Sequence, residues 1–293
     1  MNGFIKVIAL AAIASAFCFA QTPQPAAQPA APVQGGRPQP QAKSQDEFNA
    51  FQQLISKPTA AEQEVGAVEF STKFPQSDLR GLAMLSVMRA YQNDNNAEKT
   101  IDAAHKVLEI DSNNPEALVT LSSVIAERTR DTDLDREDRF SEANRAAEKA
   151  LQTVDTDLMV PPGVPADRLQ EVRSVMKSMA HASMGTIEMT KKNFAAAEQH
   201  LDMATKINTA QPDPVTWLRL AIARDQLKKY PAALEAANQA VKFAPQGSQA
   251  ASLAAAQRDR LQKLVSGGPA PAATAPPAAT STATPAGAGA PKK

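Results

Sequence analysis

The chain has 293 residues, with 31 basic against 31 acidic side chains and no long run of like charge. This balance excludes the basic footprint of a protein that binds nucleic acid or an anionic membrane. Twenty-two prolines beside only ten phenylalanines, two tyrosines and one tryptophan argue against a single large globule.

Residues 1–20 have the pattern of a secretory signal peptide. Lys6 precedes an apolar run, and small residues follow it up to Ala20, after which we expect cleavage. The run is shorter than the roughly twenty apolar residues that cross a membrane, so the mature chain is expected to have no membrane span. Cys18 is the only cysteine, and Phe17 stands where lipid attachment needs a small residue. The prediction is an exported protein, periplasmic or secreted, with a lipoprotein as the less favoured alternative.

Two segments near the ends are rich in proline, glutamine, alanine and threonine. Residues 21–43 and 266–293 show no apolar periodicity. Chains of this composition cannot bury enough surface to offset the entropy lost on ordering. We therefore predict a disordered linker, a disordered tail, and a folded body over residues 44–265.

Helix start signals open this body. Ser44 and Glu47 are spaced as a capping box, and Thr59 and Glu62 repeat the signal. Apolar residues at helical spacing follow both, which predicts a degenerate N-terminal helix pair that seals one end. At the other end, residues 249–265 predict an amphipathic capping helix.

A repeated unit lies between these ends, and residues 214–247 show it most clearly. Its pattern is large-x-x-Leu-Ala on a first helix, Ala-x-x-x-Ala-x-x-Ala on a second, and then a closing proline. The residues that carry it are Trp217, Leu220, Ala221, Ala233, Ala237, Ala240 and Pro245. Similar spacing recurs over residues 81–114, 115–153 and 178–211, where Met184-Gly185 takes the place of Leu220-Ala221.

This spacing resembles the tetratricopeptide repeat (TPR), a helical hairpin of about 34 residues. The resemblance implies an all-α fold: a right-handed α-α superhelix, or TPR solenoid, of about four clear repeats with the N-terminal pair and the capping helix. It also implies an exported bacterial-type TPR protein that is not an enzyme. Such a protein is expected to be a scaffold that binds a protein or peptide partner on the concave face lined by the first helices.

The resemblance places a partner groove on the inner stripe of the first helices. The family's carboxylate clamp of lysine and asparagine does not carry over, because those places hold other residues here. The stripe is mainly apolar with scattered methionine, which suits amphipathic helices or loosely specified apolar segments. Alternatively, adjacent first helices bury the stripe against one another. The candidate residues are Leu82, Leu85, Arg89, Gln92, Val119, Ser123, Ala182, Thr186, Met189, Val215, Leu218 and Ile222.

No catalytic motif has the required spacing, and no cofactor is expected. His105, His181 and His200 fall on three separate predicted helices, which favours structural roles. A calcium loop is the one metal alternative, because four carboxylates stand at its first, third, fifth and twelfth places. Arg136 stands where that loop needs glycine, so a solvated charged loop is favoured instead. The four carboxylates are Asp131, Asp133, Asp135 and Glu142.

The segment 155–165 is too apolar for a loop that makes no contacts, and a long helix is predicted to start at Ala166. Either the loop folds over that helix or it contacts a partner. A rival function follows from it: a small-ligand binder or enzyme with its site between residues 158–165 and the groove. A structural spacer is a second alternative. The partner and the oligomeric state stay open.

Overall fold

A computed structural model of the protein describes residues 35–267, and this part of the chain is built from helices. Within it lie eleven helices and two very short strands. None of these helices combines the length and the apolar character that a membrane crossing requires. The helices are α1 Gln45–Ile55, α2 Ala60–Lys73, α3 Arg80–Asn93, α4 Ala97–Ile110, α5 Pro115–Arg128, α6 Arg136–Thr153, α7 Ala166–Thr190, α8 Phe194–Ile207, α9 Pro214–Gln226, α10 Tyr230–Phe243 and α11 Gln249–Val265; the strands are β1 Arg37–Pro38 and β2 Met159–Val160.

Short polar side chains start most of these helices by binding their first free amides. The Asn114 side chain accepts a hydrogen bond from the Ala117 amide at 3.0 Å, with proline at the first helical position of α5. Asp213 caps α9 in the same way. Thr59 and Glu62 form the reciprocal capping box at α2. Such caps satisfy amides that have no partner inside the helix.

Three of the helix hairpins turn with the same backbone geometry. Asn95, Lys192 and Lys228 each adopt a left-handed φ of 57–60° just after the first helix of a pair. In each case the next amide donates back five residues, as from Asn96 to the Tyr91 carbonyl at 3.0 Å. This is the Schellman ending of a helix. Its recurrence at the α3–α4, α7–α8 and α9–α10 turns shows that these hairpins are copies of one unit.

The hairpins stack in chain order. α3 pairs with α4, α5 with α6, α7 with α8 and α9 with α10, and the second helix of each pair packs on the first helix of the next. α1 and α2 precede this stack, and α11 packs on α10 and α9. Fully buried alanines such as Ala104, Ala147 and Ala237 lie between the helices. This arrangement confirms the predicted all-α superhelix with its N-terminal pair and C-terminal capping helix.

The start of the described chain differs from the expectation of a disordered linker up to residue 43. Residues 35–43, here called the strap, are held against the folded body. β1 pairs in parallel with β2, with Arg37 opposite Met159 and Pro38 opposite Val160. Long-range contacts, which composition does not report, order this segment. The predicted signal peptide and most of both proline-rich segments lie outside the described residues.

The predicted capping box at Ser44 forms only in part. The Ser44 hydroxyl accepts from the Glu47 amide at 3.1 Å. The Glu47 carboxylate, however, binds the Lys43 amide at 2.5 Å and the Ser77 hydroxyl. Glu47 is 3% exposed, so its carboxylate ties the end of the strap to the α2–α3 turn instead of closing the cap.

Candidate partner-binding surface

The first helices of the four pairs come together on the inner side of the superhelix. Arg89 of α3 holds Glu116 of α5 with two hydrogen bonds of 2.5 and 2.6 Å. Arg219 of α9 reaches Glu127, also on α5, at 2.6 and 2.8 Å from its two carboxylate oxygens. α5 is therefore bridged to the first helices of both the first and the fourth pairs.

Between these ion pairs, α5 and α7 are in direct contact. The hydroxyl oxygens of Ser123 on α5 and Ser183 on α7 lie 3.0 Å apart. Val119 and Ala126 of α5 are 2% and 3% exposed although they face inward in the repeat pattern. The inner side is thus closed at the second pair, because α7 packs across it.

The predicted groove residues divide by burial. Leu85, Val119, Thr186 and Leu218 are buried. Leu218 clusters with Ala240 of α10 and Ala254 of α11. The others keep some or all of their exposure. The partly exposed ones are Leu82, Gln92, Ser123, Ala182, Met189, Val215 and Ile222, and Arg89 is exposed.

The four carboxylates of the calcium alternative are not brought together. Glu142 lies on α6 and its Oε1 is 2.7 Å from Nε2 of His105. Asp133 accepts from the Arg130 amide, and Asp135 lies beside Arg139. Across residues 35–267, no three His, Cys, Asp or Glu side chains converge as a metal ion would need.

Two histidines that the sequence placed on separate helices touch each other. The Nδ1 atoms of His181 on α7 and His200 on α8 are 3.4 Å apart. Burial, together with the neighbouring His200, lowers the pKa of His181 below its usual value. In the repeat pattern His181 takes the place of Trp217, which predicts a packing residue. The pattern does not indicate that His200 is the residue it packs against.

Glu64 on α2 joins the N-terminal pair to the first repeat. Its carboxylate accepts from Lys106 Nζ and from the Tyr91 hydroxyl, both at 2.6 Å. These two hydrogen bonds lower the pKa of Glu64 to about 2, and the Glu64 contact raises the pKa of Tyr91 to about 12. The carboxylate therefore stays ionised at physiological pH and fixes α2 against α3 and α4.

The loop 155–165 is covered by the strap. Leu158 and Val160 are buried, and their carbonyls accept from the amides of Arg37 at 2.9 Å and Gln39 at 3.2 Å. On the other side, Lys177 of α7 binds Asp155 at 2.8 Å. The strap therefore packs against one side of this loop.

A cleft lies at the hairpin turns of the second and third pairs. Its volume is about 330 Å³, and Asp131, Arg136, Glu137 and Lys191 are among the residues that line it. Charges of both signs surround it, and Lys191 also lies over the Phe140 ring at 5.5 Å. Because these charges offset one another, the cleft has no clear preference for an anion or a cation.

Comparison with known proteins finds distant structural similarities. No family model and no curated protein matches it. Among solved structures it is similar to Pseudomonas aeruginosa PilF, with 16% identity over 76% of this chain and 95% of that one and a TM-score of 0.49. TTC0263, a thermophilic TPR protein of Thermus thermophilus, gives 14% identity, coverage of 73% and 97%, and a TM-score of 0.41. Acl4, an assembly chaperone of RpL4, gives 10%, 76% and 98%, and 0.39.

These similarities are too low to support an argument about this chain. Its fold is assigned from its own helix packing and its own recurring turns.

Proposed function

We propose that this protein is an exported scaffold, without enzymatic activity, that binds a protein partner through its stacked helix pairs. In such a stack most contacts join neighbouring units, so the molecule presents a long surface and not one deep pocket. Extended surfaces of this kind suit protein ligands. Nothing in the balanced charge of the chain favours a nucleic acid.

The observation that carries this proposal is the apolar surface left at the C-terminal end of the inner side. Met189 ends α7, and Val215 and Ile222 lie along α9; all three keep partial exposure beside the closed centre. Methionine adapts its shape to different apolar neighbours. We therefore expect the partner to present an apolar helix or segment.

Photo-crosslinking in the source cells tests this surface. A photoreactive phenylalanine analogue at Ile222 should capture a defined polypeptide, because it replaces an apolar side chain at the proposed contact. The matched control is the same analogue at Gln199, an exposed position on the second helix α8. Equal capture from both positions, or none from Ile222, contradicts the proposal.

Glutamate at the predicted groove positions Leu85 and Leu218 is not a suitable test. These side chains are 2% and 8% exposed. A buried charge would destabilise the stack and abolish binding without any contact to a partner.

Export is supported by residues 1–20, whose cation, apolar run and small residues match a cleaved signal. Periplasmic or secreted localisation follows as part of the proposal. The N-terminal sequence of the protein purified from its source should begin at Gln21. A chain that retains Met1 inside the cell would contradict export while leaving the scaffold proposal standing.

A further inference from the structure

The strap runs along one edge of the superhelix, across the turns that join one helix pair to the next. We call this side the turn edge and define it by residues 74–79, 111–114 and 154–165. Lys43 of the strap binds the Gln76 carbonyl at 2.9 Å and Asp78 at 3.1 Å. Arg37 reaches the next two turns. A single extended segment thus contacts three successive turns.

Arg37 is the anchor of the strap. Its Nη2 donates to Asp111 Oδ2 at 2.5 Å, and its Nε donates to the Asp157 carbonyl at 3.1 Å, with the Asp157 carboxylate at 3.7 Å. These groups come from positions far apart in the chain and converge on one guanidinium. A guanidinium presents several fixed donors, so it can serve two turns at once where a lysine could not.

The turn edge also binds the backbone beside Arg37. Its amide donates to the Leu158 carbonyl just before β2 and that of Gln39 to the Val160 carbonyl in β2, while Pro38 between them has no amide to donate. This is the alternating pattern of a peptide added to a strand edge. The turn edge therefore recognises an extended backbone in a fixed register.

Two glycines allow the close approach. Gly35 and Gly36 have φ of 73° and 99°, where other residues are strained. A Cβ on Gly35 would lie 2.7 Å from Arg173 Nη2, and one on Gly36 would lie 2.8 Å from the Leu158 carbonyl oxygen. The edge thus selects small residues before the arginine.

The strap is held by few contacts. Its ladder has two strand residues, and the Arg37 side chain is 41% exposed, so solvent screens its ion pairs. What keeps it bound is its attachment to α1, which holds it near its site at high effective concentration. A free segment of the same chemistry would meet the same acceptors whenever the strap lifts.

We propose that the turn edge around Asp111, Asp157 and β2 is a peptide-binding site for an extended, arginine-bearing Gly-Gly-Arg-Pro segment, and that the strap is its intramolecular competitor. A partner protein with such a segment binds by displacing residues 35–38. This site is separate from the inner side, so it does not depend on the surface proposed above for an apolar partner.

The test uses the full chain and a fluorescent peptide of residues 33–41, VQGGRPQPQ. Arg37→Ala weakens the competitor without touching the acceptors, so the peptide should bind this variant at least tenfold more tightly than the unchanged chain, as measured by fluorescence anisotropy. Adding Asp111→Asn to Arg37→Ala should lose the gain. A peptide with alanine in place of arginine should bind none of the chains.

Arg145→Ala is the matched control. Within residues 35–267 this exposed arginine binds Ser141 on its own helix, so its loss should leave peptide binding the same as in the unchanged chain. Circular dichroism verifies that each variant keeps its helices. Equal binding to the unchanged chain and to Arg37→Ala, or no binding to Arg37→Ala at millimolar peptide, overturns the proposal.

A second measurement needs no variant. In the unchanged chain the amides of Arg37 and Gln39 donate to the carbonyls of Leu158 and Val160, so excess peptide should speed their hydrogen exchange as the strap is displaced. The alanine peptide should have no effect. Exchange that is unchanged by either peptide contradicts the competition.

Discussion

The contact between α7 and α8 depends on one glycine, and its replacement gives the sharpest test of the helix packing. A Cβ on Gly185 would lie 2.6 and 2.8 Å from two side-chain carbons of Leu201, which is fully buried. Contacts this short do not occur between real atoms, so Gly185→Ala must push Leu201 out of place. In the fourth pair the corresponding positions hold Ala221 and Ala237, both buried. The third pair thus uses glycine against leucine where the fourth uses two alanines.

The magnitude follows from two opposed effects. Alanine in place of glycine favours a helix by about 1 kcal/mol, while overpacking a core costs about 1–3 kcal/mol. Because Leu201 is fully buried, we expect the overpacking to outweigh the helix preference, with a net loss of up to about 2 kcal/mol. Leu201→Ala alone should cost about 2–4 kcal/mol through the cavity it leaves. Together the two changes recreate the alanine pair of the fourth unit, so the double variant should be more stable than additivity predicts, by about 1–2 kcal/mol.

Urea unfolding followed by circular dichroism measures the four chains of this cycle. The slope of free energy against urea must stay constant, because a changed slope would mean that the helix pairs no longer unfold together. Gly81→Ala is the control, since its Cβ would lie 3.6 Å from Ile110 in ordinary contact. That change should be neutral or stabilising by up to about 1 kcal/mol. If Gly185→Ala also stabilises, or if the double variant is merely additive, α7 and α8 are not packed as described.

Three further predictions concern charge and turns. Glu64→Gln should lower the free energy of unfolding by about 1–2 kcal/mol near neutral pH, less than the pKa shift alone implies because solvent screens the Lys106 contact. The pKa of Glu64 is lowered to about 2. In urea titrations the stability difference from the unchanged chain should therefore persist above pH 4.5 and vanish as the pH falls through about 2. The pKa of His181 is also lowered, so its protonation opposes folding. The melting temperature should therefore fall as the pH drops below 6.5, the usual pKa of histidine. His181→Phe should flatten this part of the plot of melting temperature against pH, and an unchanged slope would exclude His181 as its cause. Lys228→Gly should stabilise the chain by about 0.5–1 kcal/mol because φ of 58° strains a lysine. The same change at exposed Lys242, inside α10, should destabilise the chain by a similar amount. A loss of stability in Lys228→Gly would contradict the turn geometry.

The helix pairs could be predicted because local chemistry specifies them. Alanines such as Ala197 and Ala233 recur at the spacing of one hairpin, and polar caps such as Asn114 and Asp213 precede first helices. Each such signal acts over a few residues, which is the range that a sequence displays directly. The all-α superhelix was therefore predictable in outline.

The inner side was harder to predict. Whether Val119 or Leu218 faces a groove or another helix depends on how far each pair rotates on the last. That rotation is set by contacts such as Ser123 with Ser183, between helices that lie 60 residues apart in sequence. The spacing of the repeat predicts which residues of each first helix lie on the inner side. It does not predict how closely successive first helices approach each other there.

The strap was missed for a different reason. Its composition is that of a disordered linker, and it has no apolar period. It is ordered by Arg37, whose acceptors Asp111 and Asp157 lie 74 and 120 residues away. A tertiary contact of that range leaves no local pattern, although the Gly35-Gly36 pair next to an arginine was a feature that could have drawn attention.

The contact between α5 and α7 closes the inner side at the second helix pair. Disulfide trapping measures this contact directly. In the full chain, Ser123→Cys with Ser183→Cys should form an intramolecular disulfide under mild oxidation, seen by mass spectrometry of the unreduced protein, because the hydroxyl oxygens lie 3.0 Å apart. Ser86→Cys with Ser183→Cys, which takes the first cysteine from α3, should form none. Absence of the first bond, or equal yield of both, would show that α5 and α7 do not meet and that the inner side is an open groove.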